Sequence, residues 1–228
     1  MSNSKLISCT LISPNKNSPR NHKIDTITIH CVVGQCSAER IGEIFKPTSR
    51  QASSNYGIGY DGRIGLYVDE ADRSWCSSSA ANDNRAITIE VASDTKHPYA
   101  VNDKAYAALI DLVEDICRRN GIKALLWKGD KSLIGQVNKQ NMTVHRWFAA
   151  KACPGDWLYS RHGQIAAEVN KRLGVKDAGG STGGQTSGNT ETGLKVGDVV
   201  DFKGTQHYTS AAAKGAKICK PGKATITA

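Results

Sequence analysis

The chain reads as an α/β protein, a mixed central β-sheet flanked by helices, and three observations predict this. Two β-branched runs, TITIHCVV (Thr26–Val33) and AITIEVAS (Ala86–Ser93), have the composition of buried strands. Two long segments, NDKAYAALIDLVEDICRRNG and WLYSRHGQIAAEVNKRLG, carry apolar residues at helical spacing. Between the two strand runs, YGIGYDGRIGLYV alternates as a hairpin does.

Each element has a local reason. After the first strand, Ser37 is an N-cap for a helix with Ala38, Ile41, Ile44 and Phe45 on one face. In the hairpin, Tyr56, Ile58 and Tyr60 alternate, and Asp61-Gly62 supplies the turn. In the next helix Asn102 is the cap and Gly121 the stop. Its stripe runs through Tyr106, Leu109, Ile110, Val113, Ile116 and Cys117, so Cys117 is expected in the core. The last helix has Ile165, Val169 and Leu173 as its stripe and Gly174 as its stop. Catalytic groups in such sheets gather toward the carboxyl ends of strands or on the loops beyond.

The organisation is uneven. Residues 1–175 have the length of one domain. Residues 176–193 are rich in Gly, Ser and Thr without apolar periodicity, which is linker composition. Residues 194–228 form a basic piece of short strand-like runs and glycine turns, short for a core of its own. It ends on a strand-like run, which suggests a truncated module or one completed by another copy.

The 228 residues carry a net charge of +9, which fits either general solubility or an anionic partner such as a wall polymer. No zinc-finger spacing, RNP-type segment or Arg-rich arm points to nucleic acid. No run is apolar enough to span a bilayer. The N-terminus lacks the basic and apolar regions of a secretory signal, so synthesis in the cytoplasm and release to the site of action are expected. The seven cysteines are odd in number and irregular in spacing, which argues for free thiols.

The chemistry sits at the strand ends. The two runs nearly rhyme: Thr28 and His30 alternate in one as Thr88 and Glu90 do in the other. Parallel neighbours in that register would project His30 and Glu90 from one face, although such alternation alone is common. A third stretch, TVHRWFAAKACPGDW, offers His145, Lys151 and Cys153 within nine residues, a spacing that fits neither one helix face nor a zinc knuckle. These groups can meet only through a loop. Two histidines and a cysteine suit Zn²⁺ and leave a fourth position for water. A nearby carboxylate could then act as base and a lysine could stabilise an oxyanion. A metal-free hydrolase using Cys153 and His145 stays open on these residues alone.

ITIHCVV, ITIEVAS and above all VHRWFAAKACPGDWL resemble the zinc-dependent N-acetylmuramoyl-L-alanine amidases of the type-2 family. That family includes phage endolysins and bacterial autolysins, and shares its fold with peptidoglycan recognition proteins. The likeness runs over roughly residues 25–173. It implies an amidase-like fold, one Zn²⁺ per chain held by His30, His145 and Cys153, Glu90 as general base and Lys151 as charge-balancing lysine. The implied reaction is zinc-assisted hydrolysis of the amide joining N-acetylmuramic acid to the L-alanine of the stem peptide in bacterial peptidoglycan. Some relatives use a hairpin tyrosine in place of the glutamate. Ser54 or Asn55 falls nearest that position, so Glu90 is preferred.

Tyr56, Trp75, Asn84 and Trp147 are candidate substrate contacts. Trp75 and Asn84 fall in a region read as a loop with Arg73, and Trp147 and Phe148 could equally be core. Cys31 and Cys36 read as structural thiols. His22, His97, His162 and His207 stand in polar stretches expected at the surface and receive no role. KVGDVVDF followed by HYTSA resembles the start of an SH3-like cell-wall-binding module, which implies anchoring to the wall after holin-dependent release if the enzyme is phage-encoded. A non-catalytic peptidoglycan-binding protein of the same fold, or a bacterial autolysin, is the alternative reading.

Overall fold

The computed structural model describes residues 2–175 and, beyond them, four short strands at 199–202, 206–207, 217–218 and 222–225. The chain divides into two compact units, Met1–Ala178 and Gly179–Ala228.

The first unit is a six-stranded mixed sheet in the order β1-β5-β4-β7-β3-β8. Its strands are β1 (Cys9–Thr10), β3 (Thr26–Val33), β4 (Tyr56–Ile58), β5 (Ile64–Leu66), β7 (Ala86–Ser93) and β8 (Met142–Thr143); β2 (Lys16–Asn17) and β6 (Arg73–Ser74) pair separately. All neighbours run parallel except the β4–β5 hairpin. Gly62 turns that hairpin at φ +87°, in the left-handed region glycine favours.

Four helices pack on the sheet: α1 (Ala38–Phe45), α2 (Ala80–Arg85), α3 (Asp103–Asn120) and α4 (Gly155–Leu173). The expected caps are in place. Ser37 accepts from the Arg40 N–H and Asn102 from the Ala105 N–H, and Gly121 and Gly174 close α3 and α4 at φ +69° and +75°. The short α2 lies in the region read as a loop; Ser79 caps it by accepting from the Asn82 N–H.

The two faces of the central strands differ, and this positions the site. Ile27 and Ile29 of β3 join Ile87 and Ile89 of β7 in one apolar cluster with Leu109, Ile116 and Cys117 of α3 and Ile165 and Val169 of α4. Burial there raises the Cys117 thiol to about 12, in keeping with a core role. The opposite face is polar yet buried. Thr28 and Thr143 share a hydrogen bond of 2.7 Å, Ser74 and Thr88 another of 2.7 Å, and Asn82 donates to Thr28 while accepting from Thr143. Buried hydroxyls and amides satisfied in this way give a rigid floor at little cost in desolvation.

In the second unit, β9 (Val199–Phe202) pairs antiparallel with β12 (Gly222–Thr225), and β10 (Gln206–His207) with β11 (Lys217–Ile218). The proposed linker, residues 176–193, lies outside the described residues, as does most of the sequence likened to a wall-binding module. No helix among the described residues is long and apolar enough to cross a membrane.

Candidate active site

Strands β3 and β7 pair in parallel over all eight residues, from Thr26 opposite Ala86 to Val33 opposite Ser93, with His30 directly opposite Glu90. The repeated spacing of the two runs is therefore a true register, and both side chains rise from the polar face. Ligand-capable atoms of His30, Cys76 and Glu90 lie within 4.8 Å of one another.

The third contribution arrives by loop. Val144 leaves β8, a single 3-10 turn carries His145 to Trp147, and the chain returns to Cys153 before α4. The donor atoms of His30, His145 and Cys153 also lie within 4.8 Å of one another, and Cys153 Sγ is 3.3 Å from His30 Nδ1. Arg146 braces the loop. Its backbone N–H donates to Cys153 O at 3.1 Å, and its guanidinium donates to Ala152 O at 2.6 Å and to Asp156 at 2.9 Å while lying 4.7 Å over the Tyr159 ring. Gly155 turns the chain just after Cys153 at φ +81°; a Cβ there would lie 3.0–3.1 Å from Tyr99 and Pro98.

The electrostatics suit a cation. Burial, with smaller contributions from His145 and His162, holds His30 down to about 3, and burial and Lys151 lower His145. Both imidazoles are thus neutral, the form that binds metal. The Cys153 thiol is held protonated by contact with Cys31, by burial and by the charge of Glu90; a bound cation would reverse that balance. Two neutral nitrogens and one sulfur around a common point are a donor set that zinc accepts, and three protein ligands leave a coordination position free.

Glu90 is not spent structurally. The residue is half-buried, but its Oε2 is shielded and has no hydrogen-bond partner, and Oε1 meets only the Cys76 thiol at 3.9 Å among the described residues. Burial raises its carboxyl to about 7, against the pull of Arg50 and the Cys76 thiol. A carboxylate tuned to that range is suited to general base work.

An open cleft of about 390 Å³ reaches this centre and is lined in part by Trp75, Cys76, His145 and Lys151. A separate concavity of about 410 Å³ beside Gln35 and His97 contains none of the chemistry.

Several candidates stand elsewhere. Tyr56 pairs with Ile89, so it shares the core face rather than that of Glu90; it is fully buried, and its hydroxyl donates to Glu70 at 2.7 Å. Gly57 is the residue opposite Glu90, and its missing Cβ makes room for the Tyr67 ring, 2.5 Å from where that Cβ would stand. Trp147 is core: it is 8% exposed and stacked on Trp127 with centroids 5.2 Å apart. The Asn84 amide is occupied by Ala80 O and the Asn21 N–H, and it does not line the cleft. Trp75 does line it. His162, expected at the surface, is fully buried, donates from Nδ1 to Leu158 O at 2.8 Å and packs on Trp127.

Three residues near the centre escape sequence reasoning. Ser78 holds His145 Nε2 at 3.0 Å from a left-handed backbone at φ +64°, Cys76 meets Glu90, and Arg146 braces the loop. Cys31 packs with the Ile27 and Ile29 face, as alternation requires. All six cysteines of the described region are free.

Solved structures share this fold. A structure of PlyL aligns with a TM-score of 0.52 at 18% identity, over 72% of this chain and 96% of that one. A mutant endolysin from Bacillus subtilis aligns at 0.53 and 16%, over 72% and 99%. The endolysin N-acetylmuramoyl-L-alanine amidase LysCS from Clostridium intestinale URNW aligns at 0.50 and 17%, over 77% and 100%. No curated protein matches the chain in sequence. Residues 20–156, more than half of the chain and spanning both strands and the Cys153 loop, match the family described as N-acetylmuramoyl-L-alanine amidase, and the chain belongs to that family.

Proposed function

We propose that this chain is a zinc-dependent peptidoglycan hydrolase that cleaves the amide between N-acetylmuramic acid and the L-alanine of the stem peptide. The observation that carries this reading is the unspent Glu90 carboxylate beside a converging His30–His145–Cys153 donor set. Zinc bound by those three residues would supply Lewis acidity toward the scissile carbonyl and acidify a water molecule. Ser78 orients the His145 ring, and Arg146 fixes the spacing of the loop ligands. Glu90 takes the proton of the attacking water and delivers it to the departing alanine nitrogen, which restores its carboxylate. Lys151, at the cleft wall, balances the negative charge that develops on the carbonyl oxygen.

Residues 194–228 we assign to wall attachment, through a basic SH3-like unit tethered by the Gly/Ser/Thr-rich segment; tethering raises the local concentration of the enzyme at an anionic wall. Structures named as endolysins share the fold, which supports a lytic use. Mass spectrometry of digested peptidoglycan tests the reaction. Free stem peptides beginning with L-alanine are expected; new reducing sugars with the stems still attached would contradict it.

A further inference from the structure

The cleft beside the candidate centre carries charge of one sign. Arg50, at the end of the 3-10 turn Thr48–Arg50, Arg73 in β6 and Lys151 all line it. The acidic residue in the lining, Asp83, is 1% exposed, and its carboxylate accepts from the backbone N–H groups of Cys76 and Ser77, so its charge is spent inside the wall.

Neither Arg50 nor Arg73 forms an ion pair among the described residues; Arg73 donates instead to the neutral amide oxygen of Asn17. Most arginines elsewhere on this unit are matched to carboxylates, as in Arg40–Glu43, Arg63–Glu39 and Arg172–Asp111, while Arg20 and Arg161 donate to backbone carbonyls. Two arginines without a carboxylate partner among the described residues thus line one cleft, and guanidinium binds a carboxylate in a bidentate fork.

We propose that Arg50 and Arg73 select stem peptides with a free carboxylate next to the scissile amide over their amidated counterparts. This rests on the amidase reading above. In that substrate the residue after L-alanine is a γ-linked D-glutamyl unit whose α-carboxyl is either free or amidated. An extended chain advances ~3.4 Å per residue, so that carboxyl lies roughly 7 Å from the scissile carbonyl. A carboxamide of the same size keeps the shape and loses the charge. Lys151 serves the reacting carbonyl, and the two arginines read the next residue.

The test uses the full chain with two synthetic muramoyl tripeptides that differ only in carboxylate or carboxamide at the D-glutamyl α-position. Wild type is expected to show roughly tenfold higher kcat/KM on the acid, a ratio that shrinks as salt is raised. In Arg50→Gln/Arg73→Gln the ratio should fall below about threefold. Titration of the Glu90→Gln chain with both peptides should show the same preference as affinity. Equal affinity for the two peptides, or a preference that survives the double substitution, overturns the inference. Tight binding of the acid without cleavage of either peptide by wild type would instead contradict the amidase reading and leave the charge recognition standing.

Discussion

His30 and Glu90 stand on strands paired over eight residues, above a floor of mutually bonded threonine, serine and asparagine side chains. His145, Lys151 and Cys153 hang on a loop held by one arginine, one serine and a glycine turn. The strand half is held by the hydrogen-bond ladder of the sheet itself. The loop half owes its geometry to a few side-chain contacts, so on the proposed zinc reading metal binding and loop order are coupled there. One half is positioned by the backbone ladder, the other by side chains that a single substitution can remove.

That difference can be broken in order of expected effect. Removing a proposed ligand from either half, as His30→Ala or Cys153→Ala, should abolish zinc binding and activity alike, measured as metal content and release of L-alanine N-termini. Glu90→Gln should cut kcat by about 10²–10⁴ while sparing zinc, because the proposal casts Glu90 as base and not as ligand. Arg146→Ala should weaken zinc binding by about 10–100-fold in a chelator competition, as loss of an outer-shell partner does, and leave the β3–β7 pairing protected in amide exchange. Arg146→Lys should recover only part of this, since a lysine cannot repeat the guanidinium fork.

The smallest effect is one of pH. His162 is held down to about 4 by burial, below its unfolded value near ~6.5. Its contribution to stability is therefore whole above about pH 6.5 and lost as pH falls toward about 4, amounting to ~3 kcal/mol at most. Glu90, whose carboxyl is raised, acts with the opposite sign over an overlapping range. Denaturant unfolding of the metal-free wild type minus that of His162→Leu isolates the histidine. A flat difference between pH 7 and 4 would contradict this account.

Legibility in the sequence follows the same division. Strands, caps and stops obey local rules, so Ser37, Asn102, Gly121 and Gly174 could each be placed from neighbours alone. The matched alternation of the two strands already contained the His30–Glu90 register. Tyr56 could not be placed without the register of β4, because its pairing with Ile89 turns it toward the core. His162 was readable: Leu158, His162, Ile165 and Val169 form one helical stripe, and the polar neighbours conceal it. The braces of the loop half were not legible. Ser78 and Arg146 act through contacts across a fold whose loop path no periodicity encodes.

The central claim is that the two halves complete one metal centre. Zinc per chain, measured after removal of loosely bound metal in wild type, His30→Ala and Cys153→Ala, tests it most directly. The account predicts close to one zinc in wild type and almost none in either variant. Zinc retained at full stoichiometry when either half has lost its ligand, or an active wild type without zinc, would contradict it.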